Sequence, residues 1–247
     1  MTSGRGFRHR SSEPELMDDF TQGGDKLQEA LRHLRRLNRI LRANGPALYG
    51  VKRLWNRSGR PDRLTILDVG SGSGDINRRI LKWADKQGVK MRVILADVTE
   101  EARAEAERLF RNDSRVLFVK QDLFDLVSEQ ADIVTASQFA HHFSKEHMPS
   151  IVEQMLKVSR MGVVINDIHR HWIPWVAVWF VTRCISGNRY IRHDGPLSVA
   201  KGFRGSDFRS LARRIESSGM TYSWRPLFRY AVIVPKQREA ETNENGI

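Results

Sequence analysis

Residues 67–75, Leu-Asp-Val-Gly-Ser-Gly-Ser-Gly-Asp, set glycines at 70, 72 and 74 directly behind an apolar run that ends in the carboxylate of Asp68. Each glycine costs ordering entropy in a regular element. Three at alternate positions point instead to a loop where backbone approaches a bound molecule with no Cβ in the way. Asp97 closes Leu-Ala-Asp-Val-Thr, about 20 residues further on, where a strand-end carboxylate can accept ribose hydroxyls. Its plainer role would be to cap the next helix. A dinucleotide fingerprint needs a third glycine where this chain has Asp75, and a carboxylate at a helix start faces a pyrophosphate unfavourably. That argues against NAD. Further on, His141-His142 and His169 supply groups that titrate near neutrality.

The elements that must position these groups alternate in type. Apolar runs at 64–69, 92–97, 116–119, 133–136 and 162–166 read as strands, and helical patterns at 75–86, 100–110 and 145–158 fall between them. Short apolar strands alternating with helices imply an α/β fold with a parallel sheet covered on both faces. Ser206 is placed to cap a helix running through Ser217. Tyr222–Trp224 and Phe228–Val234, joined by Arg225-Pro226, read as an antiparallel pair. Gly195-Pro196 reads as a turn that returns the chain over the site.

Ahead of this series, Leu27, Leu31, Leu34, Leu37 and Leu41 gather on one helical face and Arg32, Arg35, Arg36, Arg39 and Arg42 on the other. A short second helix carries Leu48, Val51 and Leu54. The expected division is a loose arm over 1–22, a helical cap over 23–60, a main domain over 61–236 with an inserted lid over 167–205, and a disordered tail over 237–247. The lid contains the apolar segment Trp172–Ile185 with its three tryptophans. A helix apolar nearly all round must be buried, cover a hydrophobic ligand, or touch a membrane surface.

The net charge of +12 is unevenly placed, with +7 over residues 1–63, −1 over 64–166 and +6 over 167–247. A near-neutral middle disfavours a nucleic-acid track through the site, although basic flanks keep an anionic partner in view. The single cysteine, Cys184, forms no internal disulfide, and no apolar leader or span of about 20 residues is visible. A cytoplasmic protein without a transmembrane segment is expected, peripheral membrane contact remaining open.

The run Asp68-Val69-Gly70-Ser71-Gly72-Ser73-Gly74 resembles the first motif of class I S-adenosylmethionine-dependent methyltransferases, and the resemblance extends through the β/α series. It implies a Rossmann-like, seven-stranded mixed sheet, mostly parallel with an antiparallel last strand. It implies S-adenosylmethionine as cofactor and S-adenosylhomocysteine as product. The carried-over contact set is Asp68, Gly70, Ser71, Gly72, Gly74, Asp97, Val98, Asp122, Leu123 and Gln138, with Asp122 at the position that takes the adenine amino group. The segment after the fourth strand, Thr135–Phe143, lacks the Asn/Asp-Pro-Pro-Tyr/Phe signature of enzymes acting on exocyclic amines. Cys184 lies far from where cytosine carbon-5 chemistry would need a nucleophile. What remains is similar to the small-molecule branch, among quinone-ring and phenolic or polyketide methyltransferases, with a hydrophobic aromatic acceptor methylated at oxygen or less readily at carbon. A base near neutrality would take a phenolic proton. His142 and His141 are the candidates and His169 the runner-up, against a plain packing or capping role. Neither His141/His142/His147 nor His169/His171 has partners at a metal-ligand spacing, so no metal is expected.

Overall fold

The computed structural model describes residues 7–19, 23–215 and 219–237. Helices α1 (Asp25–Ile40) and α2 (Gly45–Arg57) precede β1 (Arg63–Val69), α3 (Asn77–Gln87), β2 (Lys90–Asp97), α4 (Glu100–Phe110) and β3 (Val116–Lys120). Then come β4 (Ala131–Ser137), α5 (Met148–Val158), β5 (Ser159–Ile168), α6 (Trp172–Ile185), α7 (Arg189–Lys201), α8 (Gly205–Ala212), β6 (Thr221–Arg225) and β7 (Arg229–Pro235). The strands form one seven-stranded sheet in the order β3-β2-β1-β4-β5-β7-β6. β1 to β5 pair in parallel, and β7 runs antiparallel to both β5 and β6. The strand order reverses between β1 and β4, the place where open α/β sheets leave a ligand crevice at the carboxyl ends of their strands.

Two apolar layers cover the sheet. On one face Ile151, Val152 and Met155 of α5 and Phe208 of α8 pack on alternate strand residues such as Val134 and Ile165. On the other, Val51 and Leu54 of α2 and Ile80 of α3 pack on Ile66, Val93 and Val164. α2 approaches so closely that a Cβ on Gly50 would lie 2.3 Å from Val164 Cγ1. No helix among the described residues is long and apolar enough to cross a membrane.

Several expected boundaries move. The helix placed at 145–158 starts at Met148, with Pro149 in its first turn where a missing N–H costs nothing. The helix expected from Asp75 starts at Asn77. The cap expected of Ser206 is made differently: the Arg204 N–H donates to Asp207 Oδ2 at 2.7 Å. That helix stops at Ala212, and residues 216–218 lie outside those described. Gly195-Pro196 is no turn but the middle of α7. Gly195 sits there because α7 crosses α6, and a Cβ would meet Thr182 Cγ2 at 2.8 Å.

The largest departure is the arm. Residues 1–6 and 20–22 of it, and 238–247 of the expected tail, lie outside the described residues, but 7–19 are packed against the domain. Arg10 donates to the carbonyls of His141 at 2.8 Å and Lys201 at 2.7 Å. The Leu16 and Met17 N–H groups donate to the Asp194 carboxylate at 2.8 and 2.9 Å. Glu15, buried, lies 3.5 Å from both His141 Nε2 and Lys201 Nζ. A polar segment with no apolar periodicity is thus held by charges, each paired as burial demands.

At the centre of that network is His141, whose Nδ1 is 2.8 Å from Asp167 Oδ1 and whose backbone N–H donates to Asp167 Oδ2. Burial alone would lower its pKa, but Asp167 and Glu15 together outweigh that and push it up to about 9. Burial likewise opposes ionisation of Glu15 and Asp167, yet the imidazolium holds both carboxyls below the usual range. The imidazolium therefore stabilises the fold fully below its ordinary pKa of 6.5, and that contribution is lost as pH rises towards 9. Thermal melting of the wild type should fall relative to His141→Gln across this window, and parallel curves would remove the ion network from the stability of the fold. Separately, Gly50→Ala should destabilise by about 1–3 kcal/mol through overpacking against Val164, read as a lowered denaturation midpoint.

Candidate active site

The glycine loop follows β1 at the crevice. Gly70, Gly72 and Gly74 have φ of +59°, +52° and +71°, a region L side chains rarely adopt. At Gly70 a Cβ would also strike the Phe139 ring at 2.1 Å, and at Gly74 it would strike Leu95 at 2.4 Å. Gly72 differs: the nearest atom is Leu31 Cδ2 of α1 at 3.6 Å, ordinary contact. Its N–H donates to Asp97 Oδ2 at 2.9 Å, while Asp97 Oδ1 accepts from both the N–H and the hydroxyl of Thr99. Of the roughly four acceptor positions on a carboxylate, one is left for a ribose hydroxyl. The hydroxyl of Ser71 is buried without a partner. A cradle without side chains, an orphaned hydroxyl and a partly satisfied strand-end carboxylate fit a nucleoside-type cofactor with an amino-acid tail.

Asp68 lies beneath this loop rather than on it. It is buried, accepting from Thr135 Oγ1 at 2.7 Å and Asn77 Nδ2 at 2.6 Å. Burial pushes its pKa up to about 6 against the pull of those two donors. Its geometry is that of a residue tying β1 to β4 and α3. The β2–β3 register pairs Asp97 with Lys120, which brings Val98 and Asp122 side by side at the sheet edge, both exposed, with Leu123 buried beside them. Asp122 spends one oxygen on the Phe124 N–H.

Gln138, directly after β4, has φ +54° and joins two regions. Its Nε2 donates to Asn38 Oδ1 of α1 at 2.8 Å, and Asn38 in turn donates to Asp75 at 3.3 Å. Its Oε1 accepts from Arg229 Nη2 at 3.3 Å. Beyond it opens a cavity of about 170 Å³, walled by Leu37 of α1, Leu41 just after that helix, Val178 of α6, Val199 of α7 and Phe228. Gln138, Ser198 and Arg229 are the polar groups on its wall.

None of the three histidines expected to act as base lines this cavity. His141 is locked between Asp167 and Glu15 and carries its proton at neutral pH, so it accepts none. His142 is in ion-pair contact with Asp18 of the arm at 2.8 Å. His169 is half-buried, with its pKa lowered by burial and by His171, and its Nδ1 accepts from Trp224 Nε1 at 3.3 Å. Spacing along the chain also hid a cluster that the fold assembles: Glu15, His141 and His142 present ligand-type atoms within 4.8 Å of one another. Lys201 and the His141 proton already balance its charge, and it reads as the ion network described above.

Sequence reasoning missed Arg229, Asn38 and Ser198. Arg229 had a signal: it opens an otherwise apolar strand, and the antiparallel register places it opposite Ile168 at the crevice end of β5. Asn38 sits among arginines on α1 and nothing along the chain distinguishes it.

Residues 66–162 match the family model described as "Methyltransferase domain". No curated protein matches the chain. Among solved structures, the plantazolicin methyltransferase BpumL in complex with SAH is 17% identical with TM-score 0.65, the match covering 90% of this chain and 94% of that one. A SAM-dependent methyltransferase from Aquifex aeolicus is 15% identical with TM-score 0.58, over 87% of this chain and all of that one. Human N-acetylserotonin methyltransferase is 10% identical with TM-score 0.60, over 85% of this chain and 56% of that one. The chain spans 46% of the length of the citrinin polyketide synthase CMeT domain structure, which it also resembles. These likenesses extend over most of the chain, and the family match falls on the segment that builds the glycine loop and Asp97. Residues 66–162 thus match a methyltransferase domain, and the chain has the fold of the S-adenosylmethionine-dependent methyltransferases it resembles.

Proposed function

We propose that the protein moves a methyl group from S-adenosylmethionine to an oxygen, less readily a carbon, of a hydrophobic aromatic small molecule seated in the cavity beside Gln138. The observation that carries this reading is the apolar cavity joined through Gln138 and Asn38 to the glycine loop. Apolar walls with few polar groups suit a small ligand. A polynucleotide would need an open basic track, whereas Arg32 and Arg35 of α1 are turned onto the buried Glu105 of α4 at 3.1 and 3.7 Å. Three of the solved neighbours are the plantazolicin methyltransferase BpumL, N-acetylserotonin methyltransferase and magnesium protoporphyrin IX methyltransferase, and this supports a small-molecule acceptor here.

In this reading Gly70, Ser71, Gly72 and Gly74 hold the amino-acid portion of the cofactor, Asp97 a ribose hydroxyl, and Val98, Asp122 and Leu123 the base. Asp68 keeps the loop in place from below. Held there, the cofactor would supply a methyl carbon made electrophilic by positive sulfur. The protein's part is orientation and exclusion of water. Leu37, Leu41, Val178 and Val199 fix the acceptor's ring, and Gln138 fixes its reacting edge. No histidine is assigned as base, and an acceptor oxygen that enters ionised needs none.

Titration calorimetry with S-adenosylhomocysteine tests the cofactor half. Asp97→Ala should weaken binding at least about tenfold by removing both the ribose acceptor and the anchor of Gly72, with the ligand-free melting temperature followed in parallel. Unchanged affinity would remove Asp97 from the site. Transfer of labelled methyl from S-adenosylmethionine to a panel of ring hydroxyl compounds tests the acceptor half. Transfer confined to RNA or DNA would overturn it.

A further inference from the structure

Arg229 is 4% exposed, on the wall of an apolar cavity, and its Nε and Nη1 groups have no hydrogen-bond partner. Only Nη2 is used, in the 3.3 Å bond to Gln138 Oε1. Among the described residues no carboxylate lies within ion-pair distance of it, unlike the guanidinium of Arg170, which meets Asp207 at 3.2 Å. Burial lowers its pKa to about 10, with partial compensation from Asp167, so the group stays charged at neutral pH. A buried cation without a counter-ion is costly, and native folds pair such groups. Arg229 is on the cavity wall, and its two unpaired donors are buried just behind that wall.

We infer that the ligand of this cavity carries an anionic oxygen, a carboxylate or a phenolate, which pairs with Arg229 while its ring fills the space between α1, α6 and α7. This rests on the acceptor reading above and narrows it to acidic acceptors. The volume agrees, since an apolar cavity of about 150 Å³ holds one benzene ring. Gln138 links Arg229 to Asn38, which in turn donates to Asp75 directly after the glycine loop, so the charged group is joined to the cofactor side of the site. An ionised oxygen held there is already the nucleophile, which accounts for a cavity wall without a histidine.

Calorimetry with benzoate, 4-nitrophenolate, benzamide and benzylamine, with and without saturating S-adenosylhomocysteine, tests this. One or both anions should bind at least about tenfold more tightly than benzamide, and benzylamine should not bind. Whichever anion wins identifies the carboxylate or the phenolate as the group recognised. Arg229→Met should bring anion and amide within about twofold of each other, Arg229→Lys should keep part of the preference, and neither should move S-adenosylhomocysteine affinity. Equal binding of anion and amide by the wild type, no binding of either anion, or a preference that survives Arg229→Met would overturn the inference. Loss of S-adenosylhomocysteine binding with the anion preference intact would instead overturn the cofactor reading.

A different observation carries a second proposal. The inner face of α6 lines the cavity through Pro174, Ala177 and Val178, while Trp172, Ile173, Val176, Trp179 and Phe180 are exposed at 56%, 41%, 48%, 39% and 61%. Residues 172–192 hold Arg183, Arg189 and Arg192 and no carboxylate, and Arg183 lies 4.0 Å over the Trp179 ring. Exposed tryptophan and phenylalanine with arginines and no acidic group fit an anionic lipid surface. A second copy of the same face would bring like charges together. We infer that α6 rests on an anionic bilayer. Sedimentation with phosphatidylglycerol-containing vesicles should carry the protein down, pure phosphatidylcholine vesicles should do so less, and Trp172→Ser with Phe180→Ser should release it. No sedimentation with anionic vesicles, sedimentation unchanged in the double variant, or a dimer in light scattering that the double variant dissolves would overturn it.

Discussion

At Gly70, Gly72 and Gly74 the backbone turns three times through the left-handed region, and one hydrogen bond, from the Gly72 N–H to Asp97, holds the turn against the end of the neighbouring strand. Everything around the site answers to that loop. Phe139 and Leu95 fill the space where side chains at 70 and 74 would be. Asp68 secures it from beneath through Thr135 and Asn77, accepting the cost of a buried carboxyl whose pKa rises to about 6. Only Gly72 keeps ordinary contact distance to its neighbour. A loop tied so closely on both sides presents its backbone in one arrangement, and a transfer reaction dominated by orientation requires that.

α1, α6 and α7 supply the other half. α1 contributes leucines to the cavity and Asn38 to the polar chain that runs from Asp75 through Gln138 to Arg229. α6 and α7 close the cavity from the other side, packed tightly enough at Gly195 to exclude a Cβ. The arm then holds α7: Glu15 accepts from Ser198 and faces Lys201, and Asp194 takes the N–H groups of Leu16 and Met17. Charge pairing in the arm and apolar packing of α6 and α7 thus fix one cavity wall together.

Much of this was legible along the chain. The alternation of apolar runs with helical patterns yields the β/α series because a strand covered on both faces must be apolar throughout, and 64–69 and 133–136 are so. The glycine spacing and Asp97 point to the crevice because three left-handed turns in five residues come at least cost with glycine, and side chains at 70 and 74 would strike Phe139 and Leu95. The leucine stripe of α1 names its buried face. What could not be read depends on long-range partners. Gly195-Pro196 looks like a turn until α6 is laid across it. Glu15 looks like part of a solvated arm until His141 and Lys201 are brought to it. His141 looks like a base until Asp167 is found beside it.

The sequence by itself determined the class of fold, the glycine loop and the strand-end carboxylate, since these follow from local dihedral limits and from the period of apolar residues. Tertiary structure alone decided which polar side chains are spent on one another and which face the cavity. His141 and Arg229 are both basic residues at the crevice end of the sheet. One is enclosed by Asp167 and Glu15, whereas the other keeps two donors unpaired. That difference arises from the strand register and the path of the arm, because burial and pairing are properties of neighbours that the chain brings together only on folding.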